Sequence, residues 1–260
     1  MAAQHIKNVK TRLANGLTAW LTFEFSCERG YLFSEYYLAH AIGQILRGYG
    51  PNVRAEVPHP TLAVDGETGR PPSLDFVLYS EQNTPLLAVE TKWAGFSETS
   101  VGAIIWDAFR LEAFCRTTRA PGLLIVAGTR QKLTKLFASS KFRRAVGGKS
   151  DPKGRTLLPL RPSDPNCLKR SDLPRTVLSL LDEKTKSLDP GLIADVLTCD
   201  VCQLAQHKGA PQAISYAVYV WVIHSKGFPM PSIQRESISS SAAIVSPKSD
   251  DKHQRPSRKI

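Results

Sequence analysis

Apolar and polar residues alternate, cluster and recur along this chain in ways that predict a run of helices and strands. Ser73 to Tyr79 and Pro85 to Trp93 are strand-like apolar runs joined by the polar turn Ser80 to Thr84. Asn52 to Val57 alternates and predicts an earlier strand. Between 31 and 48, Tyr37, Leu38, Ala41, Ile42, Ile45 and Leu46 recur at helical spacing, with Ser34 as cap and Gly48 and Gly50-Pro51 as the stop. Val101 to Thr117 carries a second apolar stripe, and Asp107, Arg110 and Glu112 fall towards its other side, where Arg116, Arg119 and Arg110 suit either a solvated helix face or contacts to phosphates. Gly122 to Ala127 is continuously apolar, as expected of a strand covered on both faces. Gln131 to Ala138 predicts a short helix, Arg175 to Lys186 another and Leu192 to Leu204 a third. Ser215 to His224 is rich in β-branched and aromatic residues and predicts a late strand at a sheet edge. Residues 1 to 30 are not assigned; Leu17 to Phe25 suits either a strand or the entry to a helix.

Charges inside two of these strands change the picture. A charge in an apolar strand costs desolvation, so it is expected to be paired, metal-bound or functional. In the second strand Ala88, Glu90 and Lys92 point one way and Val89, Thr91 and Trp93 the other. If the two runs pair as a hairpin, Asp75 approaches Glu90 and Lys92 near the strand end.

Asp75 with Glu90-Thr91-Lys92, an E-x-K, resembles the core of the PD-(D/E)xK nuclease superfamily. Leu74 stands where the family name records proline, with Pro71-Pro72 slightly upstream. The order helix, three strands, helix, strand over residues 31 to 138 matches the αβββαβ core of that restriction-endonuclease-like fold. The resemblance implies an α/β protein with a mixed central sheet flanked by helices. It implies a Mg²⁺- or Mn²⁺-dependent phosphodiesterase, with Asp75 and Glu90 as metal ligands. Lys92 would orient or deprotonate the attacking water, or stabilise charge on the phosphorus. Glu35, in the first turn of the first helix, matches an acid that often joins such a site; Glu56 is its rival, and a helix-dipole role is the alternative for Glu35. For Glu90 and Lys92 the alternative is a salt bridge at a strand end.

The formal charge of +11 favours a polyanionic partner. Residues 141 to 175 concentrate cations among glycines and prolines and predict a flexible basic loop, with Lys141, Arg143, Arg144, Lys149, Lys153 and Arg155 as nucleic-acid contacts. The partner expected is DNA, and a homodimer suits an enzyme that cuts both strands of a duplex. No apolar run approaches the roughly 20 residues of a membrane span, and the N-terminus lacks an apolar leader, so a cytoplasmic protein is expected. A single domain over 1 to 232 is predicted, with helices and a strand over 176 to 232 and a disordered, serine-rich tail over 233 to 260.

Five cysteines with no framework spacing argue against a disulfide scaffold. Cys199 and Cys202 form a lone C-x-x-C, whose only nearby partners for zinc are Cys167 and His207. There is no G-x-x-x-x-G-K-[ST], G-x-S-x-G or H-E-x-x-H, which sets aside nucleotide hydrolysis, serine hydrolysis and zincin chemistry.

Overall fold

The computed structural model describes residues 2–63, 71–94, 101–146, 149–151, 154–164, 166–186, 188, 190–206 and 215–225. Lys153, His207 and the serine-rich tail lie outside them. The helices are α1 (Ala2–Ser26), α2 (Glu35–Arg47), α3 (Val101–Thr118), α4 (Arg130–Ala138) and α5 (Arg175–Thr185). The strands are β1 (Val53–Pro58), β2 (Ser73–Tyr79), β3 (Pro85–Ala94), β4 (Gly122–Thr129), β5 (Ala145–Val146), β6 (Lys149–Ser150), β7 (Cys167–Lys169), β8 (Val196–Cys199), β9 (Gln203–Gln206) and β10 (Tyr216–His224).

The protein is α/β, with one mixed sheet ordered β1-β2-β3-β4-β10-β8-β7 and β9 also paired to β10. β3 and β4 run parallel, with α3 as their crossover, while every other pairing in this sheet is antiparallel. Apolar cores form on both faces of the sheet. One holds Ile6, Leu13, Leu17 and Leu21 of α1 and Leu38, Ile42 and Leu46 of α2, against Val89, Ile125 and Val220. The other holds Ile104, Phe109 and Phe114 of α3, Phe137 of α4 and Leu181 of α5, against Ala88, Leu124 and Trp221. Alternation along β4 sends Leu123 and Ile125 to the first core and Leu124 and Val126 to the second, the two-faced burial its apolar run predicts. The predicted order of helix, three strands, helix and strand between 31 and 138 is present as α2, β1, β2, β3, α3 and β4.

Ser34 caps α2 by accepting the Tyr37 N–H at 3.2 Å, as its sequence predicts. The unassigned N-terminal stretch is a 25-residue helix. Its buried residues Ile6, Val9, Leu13, Leu17 and Leu21 recur every three or four positions and bind it to the sheet. The helix expected over 192 to 204 is instead β8 and β9, which follow one edge of β10 and are separated by a one-residue shift in register around Asp200 to Cys202. β10 is therefore interior: it lies between β4 and the β8–β9 edge, where its bulky residues are covered on both sides.

The segment 141 to 175 is knitted together rather than loose. Phe142, Leu157, Leu158, Leu168 and Leu173 are buried in the α3-side core, and Arg143 bridges to Thr156.

β4 passes so close to β3 that a Cβ on Gly128 would lie 2.3 Å from the Ala94 carbonyl oxygen. Gly128→Ala must push two central strands apart, and a loss of about 2 kcal/mol or more is expected in urea unfolding. An unchanged unfolding midpoint would contradict this close approach.

Candidate active site

The polar cluster forms because the alternation of β3 meets one face of α3. Glu90 and Lys92 point to the α3 side, and α3 presents Asp107 and Arg110, one turn apart, to receive them. Arg110 binds the Glu90 carboxylate through Oε1 and also donates to the Ser73 carbonyl at 2.9 Å. Lys92 Nζ lies 2.8 Å from Asp107 Oδ2 and 3.5 Å from Glu35 Oε2. Glu35 further accepts the Trp93 backbone N–H at 3.3 Å. Asp75, entering from β2, accepts the Thr91 backbone N–H at 2.7 Å.

All four residues expected to form the site are thus on one rim of the sheet. Asp75 and Lys92 are tied to Thr91, while Glu35 reaches Lys92 and Trp93. Glu56 lies opposite Asp75 in the β1–β2 register, but its backbone is left-handed, with φ 52°, and its carboxylate accepts from Ser73 Oγ at 3.1 Å. Of the two upstream acids, Glu35, whose charge acts on Asp75, is the one that joins the cluster.

Two members were missed. Asp107 and Arg110 are expected on a solvated helix face, yet Asp107 is 3% exposed and the Arg110 side chain 14%. α3 is covered on nearly every side, with the sheet beneath it and α5 packed against it, so its polar residues are interior. Their one-turn spacing, one acid and one base, was the available signal. His59 supports the same helix from the β1 side. Its Nδ1 lies 3.2 Å from the N–H groups of Thr61 and Leu62, so Nε2 carries the proton and donates to the Arg110 carbonyl at 2.9 Å. Burial pulls the His59 pKa down to about 4, consistent with a neutral ring.

Four carboxyl groups, Glu35, Asp75, Glu90 and Asp107, face two cations, Lys92 and Arg110, so that full ionisation would leave two negative charges uncompensated and burial favours the protonated form of some. Burial raises the Asp75 pKa to about 6, against the pull of the Thr91 N–H and Lys92. Glu90 is raised well above the ordinary value, by burial and then by Asp107, although Arg110 opposes this. Burial alone would lower Lys92, but the charges of Asp107, Glu35 and Glu90 outweigh it and hold the ammonium above the usual lysine range.

This donor set suits a hard divalent cation. Asp75 is held through Oδ2 and Glu90 through Oε1, and the carboxylates outnumber the cations around them. No three acidic, imidazole or thiol groups among the described residues gather into a ready cage. Mg²⁺ commonly binds through one or two carboxylates, completed by water and substrate oxygens, so a cage is not required.

The basic residues expected to grip nucleic acid are divided. Lys141 and Arg155 are exposed. Arg144 pairs with Asp172 at 2.9 Å and donates to the Thr156 carbonyl, and Arg143 donates to the Gly154 carbonyl at 3.3 Å, so both brace the segment itself. Lys149 lies in β6. Cys199 is buried in β8 and Cys202 half-buried, with both thiols pushed up by burial, Cys202 to about 12.

No family model, curated protein or solved structure matches this chain. Among the described residues no helix is long and apolar enough to cross a membrane.

Because its folded pKa exceeds the ordinary aspartate value, Asp75 holds a proton that the unfolded chain has released. Its contribution to stability is complete at acid pH and is lost as pH rises through about 6. Asp75→Asn should therefore stabilise the metal-free protein by on the order of 2 kcal/mol at about pH 8, and by little near about pH 4. Thermal unfolding of both proteins in chelator across that range measures it; a difference independent of pH would refute the assignment.

Proposed function

We propose that the protein is a metal-dependent nuclease of the PD-(D/E)xK type that hydrolyses phosphodiester bonds in DNA, in a restriction, repair or phage-defence setting. The observation that carries this reading is the cluster at the sheet rim, where the carboxyl groups of Glu35, Asp75, Glu90 and Asp107 outnumber the cations Lys92 and Arg110. The order α2-β1-β2-β3-α3-β4 and the chain's net charge of +11 support it.

A divalent ion on Asp75 and Glu90 would supply charge neutralisation at the phosphate and an acidified water. The chain's own residues prepare that site. Arg110 anchors the Glu90 carboxylate through Oε1. Asp107 and Glu35 hold the Lys92 ammonium from two sides. With Asp107, Glu35 and Glu90 favouring its ammonium form, Lys92 is suited to donate a hydrogen bond to developing phosphate charge. Asp75 becomes an effective ligand as it ionises above about pH 6.

Purified protein is expected to cut DNA with Mg²⁺ or Mn²⁺, at a rate that rises with pH through about 6. Glu90→Gln and Lys92→Ala should each lower kcat by about a hundredfold or more while circular dichroism stays native. Cleavage that survives both substitutions would remove the assignment.

The Arg110–Glu90 pair also favours a second reading, a DNA-binding protein that keeps this architecture without cleaving, because the guanidinium already neutralises one proposed ligand. Calorimetric titration with Mn²⁺ separates the two: binding abolished by Asp75→Asn supports the nuclease, and no binding supports the alternative.

A further inference from the structure

Five of the seven large hydrophobic side chains exposed among the described residues fall in one short stretch: Phe23, Phe25, Tyr31, Leu32 and Tyr36. Phe23 and Phe25 end α1; Tyr31 and Leu32 form the bridge to α2; Tyr36 sits in the first turn of α2. Tyr31 is 75% exposed and Tyr36 83%. A folded protein seldom leaves aromatic rings so open in one place without a use for them.

The patch is continuous with the proposed site. Tyr36 follows Glu35, which bonds Trp93 and Lys92. Phe25 packs on Tyr216 with ring centroids 5.6 Å apart, and Tyr216 stacks on Trp93 at 6.1 Å. Phe33 completes the group, at 5.0 Å from Tyr216 and 5.7 Å from Trp93. A row of rings, with Phe33 and Tyr216 buried beneath the exposed ones, therefore leads from the end of α1 to the residue beside Lys92. On its other side Phe23 and Ser26 open onto a groove between α1 and β9, which Asn15, Thr22 and Gln206 line with polar groups. Cations stand at the same end of the sheet: β3 and β4 are parallel, Ala94 pairs with Gly128, and the chain passes directly into Arg130 and the exposed Lys132 of α4.

We infer that this aromatic surface stacks unpaired bases, and hence that the substrate is single-stranded DNA; the inference rests on the nuclease reading of the adjoining site. Every base offers a flat face to a ring, but in a duplex those faces are hidden in the stack. A duplex offers phosphates and base edges, which call for cations and hydrogen-bond donors. The patch is poor in free cations, since its Arg29 is committed to Glu24. A second copy of the chain is disfavoured as occupant by the net charge of +11. A bound strand would lay its bases on Tyr31 and Tyr36, with its backbone passing Lys92 towards Arg130 and Lys132.

The test is fluorescence anisotropy with a labelled oligothymidylate of about 20 nucleotides, in chelator, using the full chain. The wild type is expected to bind it more tightly than a duplex of equal length. The exposed pair Tyr31→Ala with Tyr36→Ala should weaken that binding about tenfold or more, and Tyr31→Phe with Tyr36→Phe should restore it. Equal or tighter binding of the duplex, or no effect of the alanines, would overturn the inference while leaving metal-dependent cleavage to be judged separately. Tighter binding of an oligouridylate of the same length, measured alongside, would overturn the choice of DNA. Loss of self-association in sedimentation, with oligonucleotide binding unchanged, would assign the surface to a second copy instead. Strand binding that behaves as expected, in a protein that cuts nothing with Mg²⁺ or Mn²⁺, would keep the stacking surface and reject the nuclease.

Discussion

Charge matching between one strand and one helix governs how this molecule is put together. Glu90, Arg110, Asp107 and Lys92 alternate in sign between β3 and α3, in a setting where the two α3 residues and Glu90 are largely withdrawn from water. Such a set adds little net stability, because desolvation offsets attraction. Removing one member is another matter, since an orphaned buried charge costs about 3–5 kcal/mol. The set therefore acts as a register lock. A slide of α3 by one turn along β3 would oppose like charges, whereas the apolar contacts of Ile104, Leu111 and Phe114 would tolerate it better. Asp75 makes no direct ion pair with this set; it accepts the Thr91 N–H and feels the charge of Lys92 from further off.

Where sequence patterns were short-ranged and unambiguous, they agree with the structure. The alternation of Glu90 and Lys92 against Val89 and Trp93 holds along β3, and Ser34 caps α2. Glu35 was readable as a site candidate only through a family resemblance; its closeness to Lys92 depends on how α2 crosses the sheet, which no local pattern encodes. α1 carried its stripe in plain view, but Trp20, Phe23 and Phe25 lie outside it and blur the period with residues that also favour strands. Asp107 and Arg110 looked like a solvated face because polarity on a helix usually means water; here that face turns to the sheet, where Lys92, Glu90 and the Ser73 carbonyl receive it.

Composition misled in a different way over residues 141 to 175. Glycine, proline and many cations suggested a loose loop, yet leucines spaced through the segment anchor it. Arg144, bound to Asp172, Thr156 and Cys167, ties three separate parts of it together. A guanidinium with several donors in one plane can replace secondary structure as an organiser of irregular chain. Basic character alone therefore does not distinguish arginines that face a polyanion from arginines that brace a fold.

The placement of β10 bears on how the chain is made. The strand is among the last described residues in sequence, yet it fills an interior slot beside β4. During synthesis β4 must wait, with one edge unsatisfied, until nearly a hundred further residues have left the ribosome. Tyr216 arrives on the same strand, so the aromatic row beside Lys92 cannot close before then. A nascent or prematurely terminated chain would thus have an open sheet edge and an incomplete rim.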